Sequence, residues 1–160
     1  MTEQAPNAHL TAAIWHWDVY YQAAIETAMT CGGAENFVTE MGGNAYYAGL
    51  SEGFVDASTL NELVAAPGTA AAMEAVRELI DSGEWDVFSG VKLNITVDAE
   101  ADTAAVEQVD APLMSDGYEL KDGEVVEMAN PEIVPAGGAS VTDDVIKSGM
   151  NYNVAGVVEG

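Results

Sequence analysis

Apolar residues recur with two different periods in the first third of the chain, and each period predicts a different element. The run 10–15 is almost entirely apolar, which predicts a buried strand. From Asp18 onward the spacing becomes helical, with Asp18 as the N-cap and Gly32 and Gly33 just past the last turn. The apolar stripe of this first predicted helix consists of Tyr20, Tyr21, Ala24, Ile25, Ala28 and Met29.

A glycine-rich stretch and a second helical pattern follow. The glycines between 32 and 53 predict turns, and Phe54 is expected to start a short strand. Thr69 is then the predicted cap of a second helix that ends at Ser82 and Gly83. Its buried stripe is expected to be Met73, Val76, Leu79 and Ile80.

The second half of the chain predicts mainly strands. Short apolar runs at 85–88 and 93–97 each predict a strand. Asp122 and Gly123 lie between apolar residues and predict a two-residue hairpin turn, because this pair tolerates positive φ. A last helix is expected to begin at Thr142, followed by two aspartates that suit the positive end of its dipole.

Composition narrows the class of protein. The 160 residues include 27 acidic and only 4 basic side chains, a net charge of -23, so nucleic acid is excluded as a default partner. The hydrophobic share of 49% separates the chain from acidic disordered tails and predicts a packed core. We therefore expect one α/β domain spanning 1–160, and the start of the sequence shows no signal peptide pattern.

Candidate chemistry is concentrated in the aromatic residues between 15 and 21. This cluster lies where the first predicted strand passes into the first helix, the place where α/β folds collect their ligands. An aromatic platform can stack on a nucleobase or on a sugar face, although core packing explains such residues equally well. No motif for a catalytic nucleophile, a phosphate loop or a metal site is present, so we expect neither an enzyme nor a cofactor.

The order of several weak motifs resembles a known family. The segments are HLTAAIWHWDVYY at 9–21, YAGLSEGFVD at 47–56, IDSGEWDVFSG at 80–90 and MNYNVAGVVEG at 150–160. Together they look like the C-terminal half of the basic membrane protein family, the substrate-binding proteins of ABC importers, commonly for purine nucleosides. The segment 91–117 looks inserted relative to the family pattern, and the family's glycine pair is represented by Ala48 and Gly49.

The resemblance implies a fold, a function and a site. It implies an incomplete three-layer α/β lobe of the type I periplasmic-binding-protein kind, with an N-terminal lobe or a second copy as partner. The parent protein would bind a nucleoside, deliver it to an ABC permease, and lie outside the cytoplasm, in the periplasm or as a cell-surface lipoprotein. The ligand-binding residues it implies are Trp17, Tyr20, Tyr21 and Gly49. The alternative is a self-contained, aromatic-lined interaction module that binds carbohydrate or a protein partner.

Overall fold

A computed structural model of the chain describes residues 4–157 and shows a mixed α/β protein with small sheets. Expectations for residues 1–3 and for the last three residues of the C-terminal motif lie outside this range. In chain order the elements are β1 (Ala13–Trp15), α1 (Trp17–Thr30), α2 (Ala34–Glu40), β2 (Val55–Ala57), α3 (Thr69–Asp81), β3 (Val91–Asp98), β4 (Thr103–Asp110), β5 (Leu113–Lys121), β6 (Glu124–Glu127), β7 (Glu132–Val134), a π-helical turn (Val145–Gly149) and β8 (Tyr152–Val154).

The chain divides into two compact units, whereas the sequence predicted one domain over 1–160. The first unit comprises residues up to 82 together with 97–103, and the second comprises 83–96 together with the residues from 104 onward. The buried hydrophobic side chains within 4–157 are Phe54 in the first unit and Leu113 and Val134 in the second. Among the described residues, the packed core that the composition predicted is therefore limited to one buried hydrophobic side chain in the first unit and two in the second.

The first unit is built around the short antiparallel pair of β1 and β2. Trp15 lies opposite Val55, and Ala13 lies opposite Ala57. The predicted strand at 10–15 is confirmed only over β1, and its predicted burial is wrong, because all three residues of β1 are exposed. A pair of three-residue strands cannot cover the faces of either one.

Helices α1 and α3 are confirmed, but their predicted caps are wrong. Helix α1 begins one residue before Asp18, which therefore lies in the first turn instead of capping it. Helix α3 is preceded by Gly68, whose φ of 79° is left-handed and whose N–H donates to the Asp102 carboxylate at 2.6 Å. The short helix α2 was not predicted, because it lies in the glycine-rich stretch that suggested only turns.

Strand β5 is the centre of the second unit, and it pairs antiparallel with β6, β7 and β8. The hairpin prediction is confirmed: Lys121 pairs with Glu124, and Asp122 and Gly123 between them have φ of 54° and 85°. The predicted strand at 93–97 is part of the longer β3, which pairs with β4.

Two other expectations for the second unit need correction. The predicted strand at 85–88 is wrong, because the Phe88 N–H donates to the Asp86 carboxylate at 2.7 Å and closes a turn. The last predicted helix is reduced to a short helical stretch that ends in the π-helical turn.

Candidate functional site

An aromatic concavity in the first unit is formed where β1 meets α1. Pairing of β1 with β2 brings residues 15 and 55 together, and the His16 N–H donates to the Phe54 carbonyl at 2.8 Å. The concavity has a volume of about 360 Å³ and is open to solvent. It is lined by Trp15, Trp17, Tyr20, Tyr46 and Phe54, and we call it the aromatic concavity.

Trp17 contacts three of the other four rings that line this concavity. Its centroid lies 5.4 Å from that of Trp15, 5.8 Å from Phe54 and 6.3 Å from Tyr20, with interplanar angles of 85–88°. Tyr46 closes the group, at 5.2 Å from Phe54 and 5.3 Å from Tyr20. Edge-to-face pairs of this kind contribute about 0.5–1.5 kcal/mol each beyond their buried area, so the rings hold one another in place.

Exposure separates the floor of the concavity from its walls. Phe54 is 8% exposed and forms the floor, whereas Trp17 is 49% exposed and Trp15 is 60% exposed. Aromatic surface that remains open beside a fixed floor is available to a ligand ring.

The four residues predicted for the site have different positions. Trp17 and Tyr20 line the aromatic concavity. Tyr21 contacts Tyr20 at a centroid distance of 5.5 Å, but its largely exposed ring is not part of the lining. Gly49 does not line the concavity either.

Gly49 acts on the concavity through the backbone. Its carbonyl accepts the N–H groups of Phe54 at 3.0 Å and Val55 at 3.2 Å, which fixes the entry into β2. Its own N–H donates to the Glu52 carboxylate at 2.7 Å. This bond, together with one from the Ser51 hydroxyl, holds the pKa of Glu52 below its ordinary value.

Sequence reasoning did not assign Trp15, Tyr46 and Phe54 to the site. Trp15 was part of the aromatic cluster at 15–21, and its position next to Trp17 in the sequence was an available signal. Tyr46 and Phe54 are far from this cluster in the sequence, and only the β1–β2 pairing and the turn at Gly49 bring them to α1.

A polar cluster of His16, Asp56 and Arg77 follows from the same strand pairing. Arg77 on α3 donates to both carboxylate oxygens of Asp56, at 2.5 and 3.1 Å. His16 Nε2 lies 3.7 Å from the same carboxylate. The Arg77 guanidinium and then the Ala57 N–H hold the pKa of Asp56 below its ordinary value.

The second unit contains a separate open concavity of about 510 Å³. Tyr118, Glu119 and Tyr152 are among its lining residues, and the Asn151 amide donates to the Glu119 carboxylate at 3.2 Å. The sequence did not indicate this concavity.

The described part of the chain contains no candidate metal centre beside the aromatic concavity. Within residues 4–157, no group of three or more His, Cys, Asp and Glu side chains is placed to hold a metal ion. The Cys31 thiol donates to the Gly33 carbonyl at 3.2 Å. No helix in the same range is both long and apolar enough to cross a membrane.

Comparisons with protein-family models, with curated proteins and with solved structures find no match to this chain.

Proposed function

We propose that this chain is the C-terminal part of a solute-binding component of an ABC importer, and that the aromatic concavity forms one wall of its nucleoside-binding cleft. The observation that supports the proposal is the set of five aromatic rings around an open volume of about 360 Å³. Stacking of one base on an aromatic side chain contributes about 1–3 kcal/mol and tolerates different bases. Trp17, half exposed and braced by three neighbours, is the proposed platform.

The fold part of the proposal is a type I periplasmic-binding-protein lobe of which only a portion is present, with 91–117 as an insertion. Its support is the small number of buried hydrophobic residues among those described. The antiparallel pairing of β1 with β2 differs from the parallel sheet expected of a three-layer α/β lobe, so the element order does not add to this support. An N-terminal lobe would then cover apolar surface that these residues leave open. In this proposal the protein is extracytoplasmic, delivers its ligand to the permease and catalyses no reaction.

One wall of a cleft predicts weak binding, because a solute-binding site normally encloses most of its ligand. We expect a dissociation constant in the millimolar range, about 4 kcal/mol of binding free energy at 1 mM. A titration that resolves individual side chains at high ligand concentration is therefore the suitable measurement.

The three tryptophans provide that measurement. In nitrogen-15 NMR spectra, the indole N–H signals are assigned with the variants Trp15→Phe, Trp17→Phe and Trp85→Phe. Adenosine at millimolar concentration is expected to shift the signals of Trp15 and Trp17. Trp85 is the internal control, since it belongs to the second unit and donates its indole N–H to the Val91 carbonyl at 2.8 Å. Unchanged Trp15 and Trp17 signals would show that the proposed function is wrong.

The second candidate, an interaction module that binds carbohydrate, is favoured by the exposure of Trp15. At 60% exposure its ring offers an apolar face of the kind that stacks on a sugar. A parallel titration with glucose and cellobiose separates the two candidates. Shifts of Trp15 and Trp17 with these sugars, and none with adenosine, would favour the carbohydrate module.

A further inference from the structure

The rings of the aromatic concavity form walls at steep angles to one another. Four of the ring pairs have interplanar angles of 83–88°, and Tyr20 and Tyr46 meet at 62°. In a parallel arrangement a planar base would be sandwiched between two rings. Steeply inclined rings offer no such slot for a planar base, whereas a positive charge is attracted to the exposed face of any one of them.

The net negative charge of the first unit acts in the same direction. Residues 4–82 and 97–103 of the first unit contain 13 Asp and Glu side chains. The same residues contain one basic side chain of the Lys or Arg type, that of Arg77. The Arg77 guanidinium is engaged by both oxygens of Asp56. The lining of the concavity is wholly aromatic and contains no basic side chain to neutralise a ligand phosphate.

From these two observations we propose that the aromatic concavity selects its ligand by charge. It binds a positively charged heterocycle, such as an N-methylated purine nucleoside, more tightly than the neutral nucleoside, and it rejects the phosphorylated nucleotide. The cation is held over the ring faces, and the acidic surface repels phosphate. This inference rests on the proposed function, because it specifies the substrate class of the same site.

The test compares ligands that differ in charge at the same ring. Adenosine, 1-methyladenosine and adenosine 5′-monophosphate are titrated into the full 160-residue chain at pH 7 and low salt, with the indole signals of Trp15 and Trp17 as the readout. We expect 1-methyladenosine, which is cationic at this pH, to bind about 3- to 30-fold more tightly than adenosine. The monophosphate is expected to bind at least about tenfold more weakly.

A conservative variant tests the ring contribution. Trp17→Phe retains an aromatic face, but phenylalanine attracts cations less strongly than tryptophan does. The variant should therefore lower the affinity for 1-methyladenosine by a larger factor than the affinity for adenosine. Tyr118→Phe, an exposed aromatic position in the second unit, is the matched control and should leave both affinities unchanged.

Each outcome separates this inference from the function on which it rests. If adenosine shifts the Trp15 and Trp17 signals but all three adenine ligands bind alike, the charge selection is wrong and the proposed function remains. If the monophosphate binds most tightly, the charge selection is again wrong. If none of the nucleosides shifts these signals, both proposals are wrong.

Discussion

Arg77 on α3 donates hydrogen bonds to both carboxylate oxygens of Asp56 on β2, at 2.5 and 3.1 Å. Glu74 and Asp81, three residues before and four residues after Arg77 on the same helix, are its alternative partners. Both positions have suitable spacing along the helix. Strand β2 nevertheless brings Asp56 to the Arg77 guanidinium, and a bidentate contact is stronger than a pairing along one helix. The result is a connection between α3 and the sheet that carries the aromatic concavity.

The contact between Arg77 and Asp56 predicts that the stability of the fold depends on pH. The pKa of Asp56 is lowered in the folded chain, first by Arg77, so its stabilising effect is present above the unfolded pKa and is lost as the pH falls through the folded pKa. An NMR titration of the Asp56 carboxyl carbon should give a midpoint below the ordinary value of about 4. In Arg77→Met the midpoint should rise toward that value, and equal midpoints in the two proteins would contradict the role given to Arg77.

The contrast between Trp17 and Phe54 gives a second prediction. Phe54 is 8% exposed, so Phe54→Ala should lower the free energy of unfolding by about 3–5 kcal/mol. Trp17 is 49% exposed, and Trp17→Ala should cost at most about half as much. Urea denaturation of both variants measures the difference, and Phe54→Leu provides a milder change if the alanine variant fails to fold. Equal losses for the two alanine variants would make Trp17 a core residue instead of a ligand platform.

The turn between β5 and β6 gives a third prediction. Gly123 has φ of 85°, and a Cβ added there would meet no atom of the described chain within 4 Å beyond its neighbours in sequence, so Gly123→Ala imposes backbone strain without a steric clash. We expect a loss of about 1 kcal/mol or somewhat more in the free energy of unfolding. Gly149→Ala is the control, because Gly149 lacks a left-handed φ and its nearest neighbours are 3.9 Å away. A loss as large in the control as in Gly123→Ala would show that strain in the turn is not the cause.

Local signals were sufficient for the elements that depend on short stretches of sequence. Helices α1 and α3 follow from apolar spacing, and the β5–β6 hairpin follows from Asp122 and Gly123, because each depends on residues close in sequence. The run 85–88 has the same apolar character as a strand, yet Asp86 binds the local backbone and closes a turn. The hydrophobic pattern alone does not show that a side chain competes with a neighbouring β-strand for the backbone hydrogen bonds.

The candidate site shows the same division between local and long-range information. Trp17 and Tyr20 are three residues apart on one helix, so their proximity could be predicted from the sequence. Tyr46 and Phe54 join them only through the pairing of β1 with β2 and the hydrogen bonds to Gly49. One sequence does not specify which short strands pair, and for that reason these two lining residues were missed.

The excess of acidic side chains predicts that salt stabilises the fold. With a net charge of -23, screening should reduce self-repulsion as the Debye length falls from about 10 Å at 0.1 M to about 3 Å at 1 M salt. The urea midpoint is therefore expected to rise with sodium chloride. In a variant with Glu40, Glu62 and Glu107, all exposed, changed to Gln, the rise should be smaller. A midpoint that is independent of salt in both proteins would rule out self-repulsion as a significant term.

The last prediction concerns the exposed side of α1. Tyr21, Ile25 and Met29 are spaced four residues apart and are 58%, 61% and 82% exposed, so they form an apolar stripe along the helix. Covering side chains of this size stabilises by about 1.5–3 kcal/mol each when burial is complete. We therefore expect the chain to associate with itself, or with a supplied N-terminal lobe, more strongly in salt of about 1 M, where repulsion between acidic surfaces is screened. Sedimentation velocity over a range of concentrations measures this association. Ile25→Glu should abolish it, whereas Leu63→Gln, at a position 82% exposed outside any helix or strand, should not. A monomer at every concentration and salt level, with no binding of the supplied lobe, would show that the stripe is a stable solvent-facing surface and that the incomplete-lobe proposal is wrong.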